Sequence, residues 1–163
     1  MEAIVLAPAG RGDTVHLAAM SRRLVEAGLE SCWTAERIER HRRHQDSVVL
    51  VARGAGSVAG FAIMQYGDDA AHLNLLAVEA IHQRQGIGRA LVRWLEDTAR
   101  VAGTFTIRLE IRGSNRVARA FYQSLGYCER GWVAGYYQGV EDALRFERDL
   151  TLRPSDGSSR NSG

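Results

Sequence analysis

The chain has 163 residues, of which 45% are hydrophobic and 25% are charged, and these values are ordinary for one globular domain with a single core. All 21 residues counted as Lys plus Arg are Arg; 19 residues are acidic, so the net charge is only +2. Such a balance does not favour a nucleic-acid-binding protein.

The amino-terminal sequence and the cysteines indicate where the protein works. The segment MEAIVLAPAGRGD has no basic stretch followed by a long apolar block, so we predict no signal peptide. No apolar run approaches the ~20 residues of a membrane span. Cys32 and Cys128 form no C-x-x-C motif, which favours two free thiols in a reducing compartment. We therefore expect a cytoplasmic protein with no membrane or nucleic-acid partner.

The first half of the chain predicts strands and helices in alternation. A strand at 3–7 is followed by a helix over Thr14–Ala27, with Asp13 as its N-cap and Gly28 as its end. Thr34 is expected to cap a second helix that reaches His44. The segments 47–53 and 58–66 form a candidate hairpin around a glycine-containing turn, and 72–78 is a further strand.

The second half begins with an amphipathic helix that opens at Gly86 and ends at Gly103. Its expected inward positions are Ile87, Leu91, Trp94, Leu95, Thr98 and Ala102, and its outer face is expected to pair Arg93 with Asp97 and Glu96 with Arg100. A strand at 105–111 alternates strictly. A short helix then begins at Asn115 and ends at Gly126, with inward positions Val117, Ala118, Phe121 and Leu125.

Two last strands are predicted at 127–137 and 143–150, followed by a small, polar tail at 151–163 that we expect to be disordered. Strands that alternate with helices and end in a strand pair indicate an α/β fold with a mixed sheet. We assign residues 1–150 to one domain.

The turn before the amphipathic helix is a candidate phosphate site. Gly86 and Gly88 lie where a helix begins, and the first N–H groups of a helix attract anions. Arg84 and Arg89 add positive charge. The Rossmann pattern fits poorly, because neither Arg89 nor Trp94 supplies its third glycine, and no G-K-[ST] follows. A simple tight turn remains the alternative.

Three motifs together resemble the GNAT acyltransferases. Q-R-Q-G-I-G-R (83–89) is similar to the family's Q/R-x-x-G-x-G/A motif, LLAV (75–78) resembles its fourth strand, and N-x-x-A-x-x-F-Y-x-x-x-G-Y (115–127) resembles its later motif. The stretch 109–127, followed by 136–146, is most similar to the bacterial ribosomal-protein N-terminal acetyltransferases. Cys32-Trp33-Thr34 resembles their Pro-Trp-Ser, with Cys in place of Pro.

The resemblance implies a mostly antiparallel mixed sheet flanked by helices, whose splayed central strands hold acetyl-CoA. The implied cofactor contacts are the backbone of Leu76, Ala77 and Val78, the pyrophosphate loop, Asn115 and Tyr122. That loop comprises Gln83, Arg84, Gln85, Gly86, Ile87, Gly88 and Arg89. Trp33, Tyr136 and Tyr137 are implied to line the acceptor groove.

The resemblance also implies catalytic roles, and each has a plainer alternative. Glu110 is the implied general base, or else one member of an ion pair on a polar strand face. Tyr122 is the implied general acid, or else a packing residue with a wet hydroxyl. Asn115 can contact the cofactor, cap its helix or do both. Glu79 is a second candidate base, although a surface turn residue is the more ordinary interpretation.

Other features are interpreted more simply. Tyr136 and Tyr137 can also be core or edge packing. His72 and His82 lack partners at zinc-ligand spacing, so we predict no metal. The basic segment RIERHRRH (37–44) is interpreted as a solvated helix face, although it can attract an acidic region of a substrate.

The leading hypothesis is acetyl transfer from acetyl-CoA to a protein N-terminal amine by direct attack on the thioester. The first alternative is the same reaction on a small amine such as a polyamine, an amino acid or a drug. An acyl-CoA-binding sensor without catalysis and a mononucleotide-binding module are further alternatives. We expect a monomer or a homodimer.

Overall fold

The computed structural model describes residues 3–30 and 32–152. Seven strands form one sheet in the order β1-β2-β3-β4-β5-β7-β6. The strands are β1 (Val5–Pro8), β2 (Ser47–Gly54), β3 (Ser57–Tyr66), β4 (Ala71–Val78), β5 (Thr106–Arg112), β6 (Cys128–Tyr137) and β7 (Glu141–Asp149). The helices are α1 (Thr14–Leu24), α2 (Ala35–Arg43), α3 (Ile87–Val101) and α4 (Arg116–Ser124), and 3-10 turns lie at Arg11–Asp13 and Ala80–His82.

The β2–β3 hairpin confirms the predicted strand pair. Its two turn residues, Ala55 and Gly56, have φ of 43° and 79°. A two-residue turn with positive φ at both positions matches the right-handed twist of the strands it joins. A register shift between Ala52 and Arg53 then places Ser47 opposite Gln65 near the far end of the hairpin.

The centre of the sheet opens between β4 and β5, as the family resemblance implied. These two strands are parallel and pair only at Ala71 with Ile107 and at His72 with Arg108. All other neighbouring strands are antiparallel. Beyond His72, β4 continues to Val78 without pairing to β5, so backbone groups along its edge face an open wedge.

Helices cover both faces of the sheet. Leu17 of α1 and Ile38 of α2 pack with Phe61 in one buried cluster. Leu91 of α3 and Tyr122 of α4 belong to the cluster on the opposite face. A register shift between Ile63 and Met64 interrupts the alternation of β4, so that His72 and Gln65 are direct cross-strand partners.

Two details at α1 differ from the sequence prediction. The helix ends at Leu24 rather than at Ala27. Residues 25–27 do not continue the helix; in this segment the Glu26 carboxylate accepts hydrogen bonds from the backbone N–H groups of Cys32 and Trp33. Asp13 does precede α1, but its carboxylate accepts from the Gly10 N–H and pairs with Arg53 instead of capping the helix.

The amphipathic pattern placed α3 correctly but misassigned several side chains. Glu96 does not pair with Arg100; it is buried and binds Arg148 of β7. Arg100 pairs with Asp97 instead. Ala102 is exposed because it already lies beyond the end of α3. On α4, Val117 was also predicted to face inward but is 75% exposed.

Both cysteines are free and exposed. Of the predicted disordered tail, only Thr151 and Leu152 are described, and residues 153–163 lie outside the described part.

Candidate active site

A cavity of about 1020 Å³ occupies the wedge where β4 and β5 diverge. Its wall includes β4, the start of α3, the inner face of α4 and the end of β6. The residues that the sequence assigned to a site line this cavity, except Gln85 and the second candidate base, Glu79. The fold therefore brings these segments, which are far apart in the chain, together around one cavity.

The amino terminus of α3 opens into this cavity. The first helical hydrogen bond runs from the Ala90 N–H to the Gly86 carbonyl at 3.0 Å, which leaves the N–H groups of Ile87, Gly88 and Arg89 without a helical acceptor. Gly86 has φ of 81°, a left-handed conformation that favours glycine. Three unpaired donors at a helix start form a suitable anion site.

Two glutamines and two glycines of this turn have different structural roles. Gln83 donates to the Val78 carbonyl at 3.1 Å, and Gln85 donates to the Ile81 carbonyl at 3.4 Å. Both amides therefore brace the turn. A Cβ on Gly88 would lie 3.2 Å from the Phe121 ring, so this glycine permits α3 and α4 to pack closely. Space for phosphate is provided at Gly86, where an added Cβ would meet nothing within 4 Å.

Helix α4 positions Asn115 and Tyr122. The Asn115 side-chain oxygen accepts from the Ala118 N–H at 3.0 Å, so Asn115 caps the helix and also lines the cavity. Tyr122 is 6% exposed and packs edge-on against Phe121 and Tyr127. Burial, with a further contribution from Tyr137, raises the pKa of the Tyr122 phenol well above its ordinary value. This phenol is therefore protonated at neutral pH and can donate a proton.

Glu110 lies at the centre of a small hydrogen-bonded cluster. Its carboxylate accepts from His72 Nε2 at 2.5 Å, from Arg145 Nε at 3.2 Å and from the Tyr136 hydroxyl at 3.4 Å. Burial works to raise the pKa of this carboxyl, but the hydrogen bonds and charges of His72 and Arg145 outweigh it and hold the pKa below its usual value. Glu110 is thus ionised at neutral pH.

His72 was considered in the sequence only as a metal ligand. Its hydrogen bond to Glu110 raises its pKa, against the effect of burial, and its Nδ1 contacts the Asn74 side-chain oxygen. The available signal was that polar residues recur two apart in strand 72–78, which places them on one side of that strand. Pairing with Glu110 came from the fold, because 38 residues separate the two.

The acceptor end of the cavity is built from the α1–α2 loop and the β6–β7 hairpin. Trp33 is buried, and the Arg37 guanidinium lies 3.8 Å from the centre of its ring. Tyr136 and Tyr137 meet edge to face at 5.0 Å between ring centres. These three aromatic side chains line the cavity as the resemblance implied.

Gln138 ties these two segments together, and sequence reasoning missed it. Its side-chain oxygen accepts from the Glu30 N–H at 2.8 Å, and its side-chain nitrogen donates to the Glu30 carbonyl at 2.7 Å. The hairpin and the loop therefore meet over the end of the cavity where Tyr136 lies. We call this contact the Gln138 latch.

Glu79, the second candidate base, lies outside the cavity wall. It forms a two-bond ion pair with Arg23 of α1 at 2.7 and 2.9 Å. The Arg23 hydrogen bond lowers the pKa of the Glu79 carboxyl. Its position is that of a turn residue which joins α1 to the end of β4.

Within residues 3–30 and 32–152, no group of three or more His, Cys, Asp or Glu side chains is arranged to hold a metal ion. No helix in the same ranges is long and apolar enough to cross a bilayer.

Comparison with known proteins places the chain among acetyltransferases. The model of the acetyltransferase (GNAT) family matches residues 17–127. The [ribosomal protein bS18]-alanine N-acetyltransferase of Escherichia coli (strain K12) is 45% identical over 92 residues, which cover 55% of this chain and 62% of that protein. Streptothricin acetyltransferase of Streptomyces lavendulae is 36% identical over 98 residues, covering 58% of this chain and 52% of its own length. These matches span less than two thirds of either relative.

A solved structure matches over a longer range. The crystal structure of the ribosomal-protein-S18-alanine N-acetyltransferase from Escherichia coli has a TM-score of 0.79 with this chain and is 28% identical. The match covers 94% of this chain and 98% of that one.

Proposed function

Because the chain belongs to the GNAT acetyltransferase family, we propose that it transfers an acetyl group from acetyl-CoA to the N-terminal α-amine of a protein. We base this on one juxtaposition. The amino terminus of α3, the buried phenol of Tyr122 and the ionised Glu110 come from three different elements and line one cavity.

The cavity fits the donor in shape and charge. The free N–H groups at the start of α3 and the side chains of Arg84 and Arg89 suit a pyrophosphate. The unpaired edge of β4 at Leu76, Ala77 and Val78 offers backbone groups to the amide-containing arm of coenzyme A. Bound acetyl-CoA would supply an activated acyl group as a thioester. A β4 N–H near that thioester would polarise its carbonyl.

The acid–base groups suit an α-amine as the acceptor. Glu110 has a lowered pKa, so it is a weak base and cannot readily deprotonate a lysine ammonium. An α-amine with a pKa of ~8 is roughly one tenth neutral at pH 7, whereas a lysine amine is neutral less than ~0.1% of the time. We assign the proton released by the amine during attack to the Glu110 carboxylate, which His72 positions through its hydrogen bond.

Tyr122 is suited to protonate the departing sulfur. Its phenol is buried, holds its proton at neutral pH and faces the cavity from α4. A positioned acid of this kind typically contributes about 10²–10⁴-fold in rate. Asn115, at the start of the same helix, uses its side-chain oxygen to cap the helix, so its amide nitrogen can donate a hydrogen bond to acetyl-CoA.

The bacterial relative that acetylates the ribosomal protein bS18 at an alanine supports a protein N-terminus as acceptor. The streptothricin acetyltransferase supports the alternative of a small amine. We favour the protein acceptor, because Trp33, Tyr136 and Tyr137 line the same cavity as Glu110 and the Tyr136 hydroxyl contacts its carboxylate, which suits the first residues of a peptide.

A panel of acceptors tests the proposal. It contains an alanine-initiated peptide with a free α-amine, the same peptide with a blocked α-amine and one added lysine, and a set of polyamines, amino acids and aminoglycosides. We expect acetyl transfer, measured by mass spectrometry, at the α-amine of the free peptide alone. Turnover confined to small amines would replace the proposal with its alternative, and coenzyme A binding without any acetyl transfer would indicate a sensor.

A further inference from the structure

A group of arginine and histidine side chains lies beside the acceptor end of the cavity. Arg40 and His41 follow Arg37 by three and four residues on α2, so they share one helix face, and His44 at the end of the helix continues that face. Together with Ser47 and Gln65 they line a second cavity of about 210 Å³. We call it the basic cavity.

Among the described residues, nothing neutralises the positive charge of the basic cavity. Across the described ranges, no carboxylate forms an ion pair with Arg37, Arg40, His41 or His44. The nearby Glu39 is already taken up by Arg42, which it binds through two hydrogen bonds. Burial and the positive charges of Arg37, His44 and Arg40 lower the pKa of His41. The lowered pKa favours neutral His41, so the firm positive charges of this face are the guanidinium groups of Arg37 and Arg40, and no carboxylate of the described residues pairs with either.

The basic cavity continues directly into the larger cavity between β4 and β5. Arg37, His41 and Gln65 line both. Ser47, Gln65 and His72 are direct cross-strand partners on β2, β3 and β4, so their side chains form one row on the same face of the sheet. His41 Nδ1 contacts the Ser47 hydroxyl at 3.1 Å and closes the row at α2.

The length of this row sets the distance that an acceptor must span. Two strand spacings of ~4.8 Å place Ser47 about 10 Å from His72. An extended peptide advances at most ~3.3–3.6 Å per residue, and a Glu side chain adds further reach. A carboxylate on the second or third residue of a peptide whose amine lies at Glu110 can therefore reach the basic cavity.

We propose that the basic cavity binds an acidic side chain at the second or third residue of the acceptor. This rests on the proposed acetylation of an α-amine and adds its sequence preference. Arg and carboxylate form strong charge-assisted hydrogen bonds, and a half-enclosed site strengthens them. A basic residue at the same position would instead meet like charges.

The test uses matched peptides with alanine first and Glu, Gln or Lys at position two, and a second series with the same change at position three. In at least one series we expect kcat/KM of the wild type to be about tenfold higher for Glu than for Gln, and lowest for Lys. The double variant Arg40→Gln, His44→Gln is expected to lose the preference for Glu over Gln. Arg37 is left in place because it also packs on Trp33 and donates to the Cys32 carbonyl.

Arg42→Gln is the matched control. Arg42 also lies on α2 but is paired with Glu39, so its loss should leave the preference for Glu intact. Equal rates for all peptides in both series would overturn this inference while leaving the proposed function standing. A preference for Glu that survives in the double variant would overturn the assignment to the basic cavity. If no peptide were acetylated at all, both proposals would fall.

Discussion

His72 and Glu110 come from strands that separate just beyond His72, and each changes the acidity of the other. The hydrogen bond between them raises the pKa of His72 and helps to lower that of Glu110. The contribution of Glu110 to stability is present above the pKa of an unfolded Glu and is lost as pH falls through its lowered folded pKa. The contribution of His72 is present below the unfolded His pKa of ~6.5 and is lost as pH rises through its raised folded pKa.

Substitution of Glu110 by Gln removes the carboxylate that holds the proton on His72. We expect the NMR titration of His72 in the wild type to have its midpoint above 6.5, the ordinary value, and to move to lower pH in Glu110→Gln. His41 serves as an internal reference, because burial lowers its pKa and it does not contact Glu110. A His72 midpoint that is the same in both proteins would show that the two side chains are not coupled.

The sequence motifs predicted only part of the hydrogen-bonded cluster around Glu110. Glu110 and Tyr122 were found through motifs in which each residue stands at a fixed spacing from Asn115. His72 and Arg145 belong to no such motif, and each reaches Glu110 only because β4 and β7 flank β5 in the sheet. Pairing between strands that are distant in the chain depends on the sheet topology, which local sequence patterns do not reveal.

At the scale of elements, the acceptor end of the cavity depends on two segments held by the Gln138 latch. The α1–α2 loop carries Trp33, and the β6–β7 hairpin carries Tyr136 and Tyr137. The latch consists of two hydrogen bonds to the Glu30 backbone. Arg112 of β5 separately ties the α1–α2 loop to the sheet by donating to the Ala27 carbonyl. A peptide that enters between these segments benefits from a groove already in place.

Gln138→Ala removes the latch without touching the reacting groups. We expect KM for a peptide acceptor to rise about three- to tenfold, because the groove must then be ordered during binding, while KM for acetyl-CoA stays unchanged. Steady-state kinetics with each substrate varied in turn separates the two. Gln123→Ala is the matched control, since Gln123 bonds Glu129 outside the cavity wall. An unchanged peptide KM in Gln138→Ala would argue against a role for the latch.

Elements with strong local signals were predicted well. The alternation in 105–111 and the spacing of Ile87, Leu91 and Leu95 identified β5 and α3 because each pattern is set by the geometry of one element. The end of α1 was misplaced, because the turn that follows is organised by a buried carboxylate, Glu26, which also accepts from the backbone N–H groups of Cys32 and Trp33 beyond the helix. Local propensity carries no information about such a contact.

At the scale of the whole molecule, a buried ion pair joins α3 to the far half of the sheet. Glu96 is 2% exposed and accepts from Arg148 at 2.5 Å and from the Tyr127 hydroxyl at 3.1 Å. Tyr127 in turn packs against Tyr122. The sequence predicted a surface pair here, since Glu96 and Arg100 have helical spacing. The spacing of Glu96 and Arg100 on α3 therefore did not reveal that Glu96 is buried against the sheet.

Glu96→Ala should destabilise the fold strongly, because it leaves Arg148 buried without a counterion. We expect the free energy of unfolding to fall by about 3–5 kcal/mol, measured by urea denaturation. Asp97→Ala is the neighbouring control; Asp97 is 77% exposed in its pair with Arg100, and its loss should have a much smaller effect. Equal losses in the two variants would contradict a special contribution from the buried pair.

If the cavity between β4 and β5 performs acetyl transfer with Tyr122 as acid and Glu110 as base, as we propose, then the loss of either group slows the chemical step. The most direct measurement is the single-turnover rate on an alanine-initiated peptide in the wild type, Tyr122→Phe and Glu110→Gln, with coenzyme A affinity measured by calorimetry on the same samples. We predict a rate lower by about 10²-fold or more in each variant, with coenzyme A affinity retained. Wild-type rates in both variants would contradict the account.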